Sequence, residues 1–309
     1  TKAWWVVASL NMKGRGDQNP LKSKWSDINR IIKEQKISIL TLQETHLSEE
    51  YAEEIAKVYG KTMKILFSAN ECHATGKAGV AVVLNKNLIQ TEGVIMTNLI
   101  PGQAILVQIP WNGGGVFNWL AVYAPNDKLE SKLIWETLSR EWEMCRLPRL
   151  NRMSGDFSLT ALHRLLAHED KRDTVNTFTT FRKNMALHDG WQNTNPDTKN
   201  FTFTQMAGNF LYSWIDRIYV STHRLKDCEE WEIKDAPLST DHRAVNVKMT
   251  HPTDPYVGKG QWTMPLHLLK NGKAIKEVED VVKAMVTGVV VRVARTESEN
   301  PQMIYAKGK

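Results

Sequence analysis

Ile37-Ser38-Ile39-Leu40-Thr41-Leu42-Gln43-Glu44-Thr45-His46 decides the fold. From Ile37 to Leu42 the run is almost continuously apolar and too short for a helix, so it reads as a strand buried on both faces. It ends by delivering a carboxylate, Glu44. Before it, Trp25, Ile28, Ile31 and Ile32 recur at helical spacing and predict a helix over Lys24–Gln35. After it, Ser48 caps a second helix over Glu49–Tyr59, with Glu50 and Glu53 in its first turns. A buried strand between two amphipathic helices is the signature of an α/β protein.

The alternation continues in both directions. Trp4–Leu10, Ala78–Leu84, Ala104–Ile109, Phe117–Tyr123, Met153–Phe157, Phe201–Thr204, Ser213–Ser221 and Ala244–Met249 read as further strands. Leu129–Glu143 and Asp173–Met185 read as helices, the latter with Val175, Phe178, Phe181 and Met185 on one face. The pattern predicts two mixed sheets packed face to face with helices over their outer faces, and a site on the loops at one edge.

Acidic and histidine positions stand at the ends of these runs: Glu44, Asp156 in Ser154-Gly155-Asp156-Phe157, Asp216 in Ile215–Val220, and Asp241 beside His242. Carboxylates gathered from distant strand ends suit a hard cation, which is what a magnesium-dependent phosphodiesterase needs. Each also has a plainer local reading. Glu44 alone could be a surface or cap carboxylate, Asp156 part of a Gly-Asp turn and His242 a capped loop histidine. Asn11 could be a turn residue, Tyr123 a core tyrosine with a satisfied hydroxyl, and Thr202 an ordinary strand threonine.

Taken in order, Ala8-Ser9-Leu10-Asn11, Leu42–Leu47, Ala121-Val122-Tyr123-Ala124-Pro125, Gly155-Asp156-Phe157, Phe201-Thr202-Phe203, Ile215–Ser221 and Ser239-Thr240-Asp241-His242 resemble the endonuclease/exonuclease/phosphatase superfamily. This is the fold of DNase I and the abasic-site endonucleases. Within it the chain looks most like the endonuclease domain of a non-LTR retrotransposon polyprotein. The resemblance implies a four-layer α/β sandwich. It implies Mg2+, or Mn2+, held by Glu44, Asp241 and Asn11, with Asp156 orienting or deprotonating the attacking water. His242 would contact the scissile phosphate, its imidazole held by Asp216, with Tyr123 donating its hydroxyl and Asn11 beside metal and phosphate. Thr202, Ser158, Arg217 and Arg243 would contact substrate, with Lys13 and Arg15 as further basic candidates. The implied partner is the DNA backbone. The implied setting is a monomeric domain that was once part of a polyprotein with reverse transcriptase, intracellular and with access to the nucleus.

Two positions depart from the family's pattern. Gly-Asp-Phe-Asn is here Gly155-Asp156-Phe157-Ser158, and the Arg usual before Ile-Asp-Arg is here Trp214. Losing one preorganised donor commonly slows a reaction by a factor of about 100 to 1,000. Three functions therefore stay open: an active or weakly active DNA endonuclease; a small-molecule phosphatase of the same fold; and a remnant that folds or binds nucleic acid without cleaving.

The 309 residues carry a net charge of +6 and a pI near 9.1, which favours a polyanionic partner. Three cysteines, Cys72, Cys145 and Cys228, are too scattered for a zinc site or a disulfide framework and fit a reducing interior. No apolar run is long enough to span a membrane. Trp111, Trp119 and Trp214 could stack on bases, although core or rim packing is the commoner use. His251-Pro252-Thr253-Asp254-Pro255 marks a boundary after an endonuclease-like domain over 1–250. The extension 251–309 holds a loop over Gly258–Leu266 and a helix over Lys273–Arg295, leading towards a missing downstream domain. Thr1 opens directly on a strand, so the chain reads as a piece of a longer protein.

Overall fold

The computed structural model describes residues 4–70, 78–111, 115–158, 170–205, 211–250, and Gly272, Ile275, Lys276, Glu279, Asp280 and Lys283. The chain divides into two compact units, Thr1–Tyr256 and Val257–Lys309. The first holds two six-stranded mixed sheets. One contains β1 (Trp5–Asn11), β2 (Ile37–Gln43), β3 (Met63–Ser68), β4 (Val80–Asn85), β13 (Cys228–Asp235) and β14 (Arg243–Met249), in the order β13-β14-β1-β2-β4-β3. The other contains β5 (Ile95–Ile100), β6 (Ala104–Trp111), β7 (Gly115–Tyr123), β8 (Arg152–Asp156), β9 (Leu187–Asp189) and β12 (Asp216–Ser221), in the order β5-β6-β7-β8-β12-β9. Among the pairings, β1–β2 and β7–β8 are parallel. A hairpin of β10 (Phe203–Gln205) and β11 (Leu211–Ser213) stands apart from both sheets.

Side-chain alternation makes the layers. Odd positions of β1 and β2, such as Val7 and Ile39, face Ile105, Val107, Trp119, Ile218 and Val245 in the core between the sheets. Even positions, Ala8, Leu10, Leu40 and Leu42, face outward under α1 (Lys24–Glu34) and α2 (Glu49–Tyr59). These helices bury Trp25, Ile28, Ile31 and Ile32, and Tyr51 and Ile55, and are capped by Ser23 and Ser48. Burying each such apolar side chain contributes about 2 kcal/mol. On the other sheet Leu106, Leu120, Val122, Met153 and Tyr219 pack under α3 (Lys128–Met144) and α4 (Asp170–Asn184), through Ile134, Trp135, Leu138, Phe178 and Phe181. The result is the four-layer sandwich expected from the sequence. A short helix α5 (Gly190–Thr194) and a 3-10 turn, Thr222–Asp227, complete the unit.

Several elements differ from the sequence reading. The single strand expected over Ser213–Ser221 is two, β11 and β12, because the Thr202 hydroxyl captures the amides of Ile215 and Asp216 at 3.1 and 3.0 Å and breaks the ladder between them. β3, β5 and β13 had not been expected: their inward and outward positions mix polar and apolar residues at sheet edges. Trp111 and Trp119 are core residues, 8% and 0% exposed. In the second unit Ile275, Lys276, Glu279, Asp280 and Lys283 are helical. The rest of the expected helix, the loop over Gly258–Leu266 and Cys72 lie outside the described residues.

Candidate active site

The alternation that fills the core also builds the site. Asn11, Tyr123, Asp156 and Asp216 occupy inward-facing positions at the ends of β1, β7, β8 and β12. All four therefore look into the mouth where the two sheets separate. Asp156 and Asp216 are directly opposite each other in the β8–β12 ladder. Glu44 follows β2 with a left-handed backbone, φ 51°, which turns its carboxylate back over the mouth. Asp241 and His242 come from the irregular turn before β14, so both reach the site although they are neighbours.

Asn11 joins the two sheets. Its amide nitrogen donates to Glu44 Oε1 and to Asp156 Oδ2, each at 3.0 Å, while its oxygen accepts from the Lys13 amide at 2.9 Å. Asn11 thereby ties the two carboxylates together, and its oxygen keeps a second lone pair. Tyr123 reaches the same oxygen of Glu44 at 3.4 Å. Burial, then the charge of Glu44, pushes its phenol well above the usual value, so it remains a donor.

Opposite, His242 Nδ1 lies 2.8 Å from Asp216 Oδ2, leaving Nε2 to face Asp241 Oδ1 at 4.0 Å. Burial alone would lower the imidazole's pKa, but the charge and hydrogen bond of Asp216, with Asp156 and Asp241 behind it, push it up to about 9. Burial and the neighbouring Asp216 push Asp156 up to about 7. The turn is pinned by Thr240, whose hydroxyl donates to the Asn11 carbonyl at 2.9 Å and accepts from the His242 amide at 3.2 Å.

The residues fit a hard divalent cation. Among the described residues Asp156, Asp216 and His242 place ligand-capable atoms within 4.8 Å of one another. Asp216 Oδ1 is buried without a hydrogen-bond partner. Glu44 joins this group through the Asn11 amide. Asp241 is engaged by Lys13, whose ammonium lies 2.7 Å from its Oδ2.

Other expected contacts lie elsewhere. Arg217 is buried in an ion pair with Asp189 at 2.7 Å, donates to the Trp214 carbonyl and lies 4.1 Å from the Trp214 ring, so it braces β12. Trp214, the second departure, packs against Trp191 and covers this pair. Arg243 is filled by Asp235, Asn200 and the carbonyls of Phe201 and Ile233. Thr202 is fully buried, its hydroxyl committed to the strand amides. Ser158 has a left-handed backbone, φ 48°; its amide donates to Asp156 Oδ1 at 2.9 Å and its hydroxyl to the Ala124 carbonyl at 2.7 Å. Its amide thus orients Asp156 while its side chain is tied to the rim.

Sequence reasoning missed Lys24, Thr240 and a relay beneath the site. In the relay the Trp119 indole donates to Ser154 Oγ at 2.8 Å, and Ser154 meets Thr41 Oγ1 at 2.7 Å across the sheets. The one signal was that Thr41 and Ser154 are hydroxyls at inward positions of otherwise apolar strands.

Two mixed six-stranded sheets under flanking helices, opening on an acidic and histidine-bearing mouth, match the DNase I-like fold. The chain is 27% identical over 277 residues, 89% of its length, to the uncharacterized 149 kDa protein of transposon TX1 from Xenopus laevis. It spans about a fifth of that relative's length. The endonuclease domain of TRAS1, a telomere-specific non-LTR retrotransposon, superposes with a TM-score of 0.57 at 15% identity, covering 80% of this chain and 99% of that one. An AP endonuclease from Archaeoglobus fulgidus gives 0.61 at 17% identity, covering 79% and 98%. No protein-family model matches the chain.

Proposed function

We propose that the domain is a metal-dependent phosphodiesterase that nicks DNA, as a retrotransposon endonuclease would to prime reverse transcription. The observation that carries this is the meeting, in one mouth, of a buried His242–Asp216 pair with Asp156 and the Asn11-tethered Glu44. The similarity to a transposon-encoded protein and to nuclease folds supports the same reading.

Glu44, Asp241 and Asn11 would hold the cation, Mg2+ or Mn2+; when bound, it would neutralise charge on the phosphoryl group. Asp156, pushed up to about 7, is a base poised near neutral pH to take a proton from water. His242, charged at that pH, presents its Nε2 proton to a phosphoryl oxygen, while Asp216 accepts from Nδ1 and fixes the ring's orientation. Tyr123 stays protonated and can donate to the same group. Asn11 keeps Glu44 and Asp156 at a fixed separation.

The test is nicking of supercoiled plasmid with magnesium, with EDTA, by Glu44→Ala and by Ser158→Asn. Magnesium-dependent nicking that Glu44→Ala abolishes is the expected result. Ser158→Asn is expected to raise the rate by about 100-fold, restoring a preorganised donor on a left-handed backbone that asparagine tolerates. Plasmid left intact by every folded version would refute the assignment.

A further inference from the structure

The acidic mouth already carries a cation of its own. Lys13 places its ammonium 2.7 Å from Asp241 Oδ2, although its side chain is 58% exposed and could lie free in solvent. Its backbone is prepared for this pose. Lys13 has φ 50°, a conformation that costs an ordinary side chain energy. Its amide is held by Asn11 Oδ1 at 2.9 Å. Its carbonyl accepts from the Lys24 ammonium at 2.8 Å, and the same ammonium takes the Met12 carbonyl at 2.7 Å. On either side, the Met12 amide donates to the Gln43 carbonyl and the Gly14 amide to the Glu44 carbonyl, at 3.1 and 2.8 Å. Gly14 itself has φ 75° and lies against His46, where a Cβ would come within 3.1 Å of Nδ1. The loop is thus bound to the strand end that carries Glu44, and the Lys13 side chain reaches from it to Asp241.

We infer that Lys13 is a resident counter-ion: it neutralises Asp241 until a divalent cation takes that carboxylate, and the displaced ammonium then pairs with a phosphate of the substrate. The inference rests on the metal-dependent reading above and adds a residue to it. A divalent ion and an ammonium repel at contact distance, so each weakens the other's hold on Asp241. The ion must therefore compete with Lys13 when the protein is free. Substrate phosphate, by giving the ammonium another partner, removes that competition. Metal and DNA then strengthen each other's binding through a side chain 58% exposed and long enough to swing between them.

The test uses the whole chain and reads binding rather than turnover. Mn2+ is titrated without DNA and followed by the loss of the free-ion paramagnetic resonance signal, for the native protein, Lys13→Met and Lys22→Met. Lys22 is an exposed lysine on the same loop, so its loss changes net charge equally. Lys13→Met is expected to bind Mn2+ about two- to five-fold tighter, the range of an exposed ion pair, and Lys22→Met to bind as the native protein does. A second arm measures catalysis-free binding of a DNA duplex in calcium against salt, where Lys13→Met is expected to lower the salt slope by about one. Equal Mn2+ affinity for the native protein and Lys13→Met, or equal tightening by both variants, overturns the counter-ion role while leaving the metal site standing. If neither the native protein nor Lys13→Met binds Mn2+ at millimolar concentration, the metal reading and this inference fall together.

Discussion

Replacing Gly155 with alanine should test how the fold sets the position of Asp156. Gly155 sits at φ 154°, and a Cβ there would lie 1.8 Å from the Val122 carbonyl oxygen and 2.8 Å from its carbon. Both are backbone atoms of the parallel neighbour β7, paired at Val122 and Gly155, so no side chain can swing aside. Ordinary contact would require β8 to withdraw by roughly an ångström or more. Overpacking and the disfavoured φ together cost about 3 kcal/mol. For a domain of this size that lowers Tm by roughly 6–12 °C. The next residue is Asp156, the base in the proposed reaction, and there a displacement of about an ångström is expected to lower turnover by roughly 100-fold. The assay is a circular dichroism melt, with plasmid nicking measured well below the variant's own Tm. Gly115→Ala is the control, because its Cβ would meet nothing closer than 4.0 Å. A Gly155→Ala protein that melts and nicks like the native one would show that the close strand approach does not set the carboxylate.

Two further outcomes follow from the buried groups. His242 rises from 6.5 to about 9 and Asp156 from 3.8 to about 7 on folding, so each binds its proton more tightly in the folded state. Their stabilisation is complete below the unfolded values and is lost as pH rises through the folded ones, so stability should decline between about pH 4 and 9. In Asp216→Asn the portion of that decline near pH 9 should disappear; a Tm measured in EDTA that is flat or rising over this interval contradicts the pairing. Ser154→Ala leaves the Trp119 indole and the Thr41 hydroxyl unpartnered between the sheets and should cost about 2 kcal/mol by urea unfolding. A change below 0.5 kcal/mol would mean the relay contributes nothing beyond packing.

The layers and most of the site were legible because both depend on alternation. Continuous apolar runs such as Ile37–Leu42 and helical stripes such as Trp25-Ile28-Ile31-Ile32 have periods that sequence displays directly. β3, β5 and β13 were not, since edge strands mix polar and apolar residues on both faces. The residues at the site's centre stand at strand ends, but it was the ordered resemblance that singled them out, since each alone had a plainer local reading. What they do next to one another was not visible. Arg217 and Arg243 look like phosphate ligands in sequence, yet Asp189, and then Asp235 and Asn200, claim them through contacts separated by many residues. Thr202 was expected on a phosphate and is instead the clamp that divides two strands.

Because Asn11, Tyr123, Asp156 and Asp216 all stand at inward-facing strand termini, the chemistry is tied to strand parity. Inserting or deleting one residue near the end of β1, β7, β8 or β12 would send the functional group to the helix-covered side while the rest of the strand could still pack. A deletion of two would restore its direction and shift only its reach. Change is therefore tolerated unevenly here: substitutions in the outer layers would erode stability gradually, whereas single-residue insertions or deletions at these four strand ends would misdirect the candidate site's side chains at once, even in a chain that still folds.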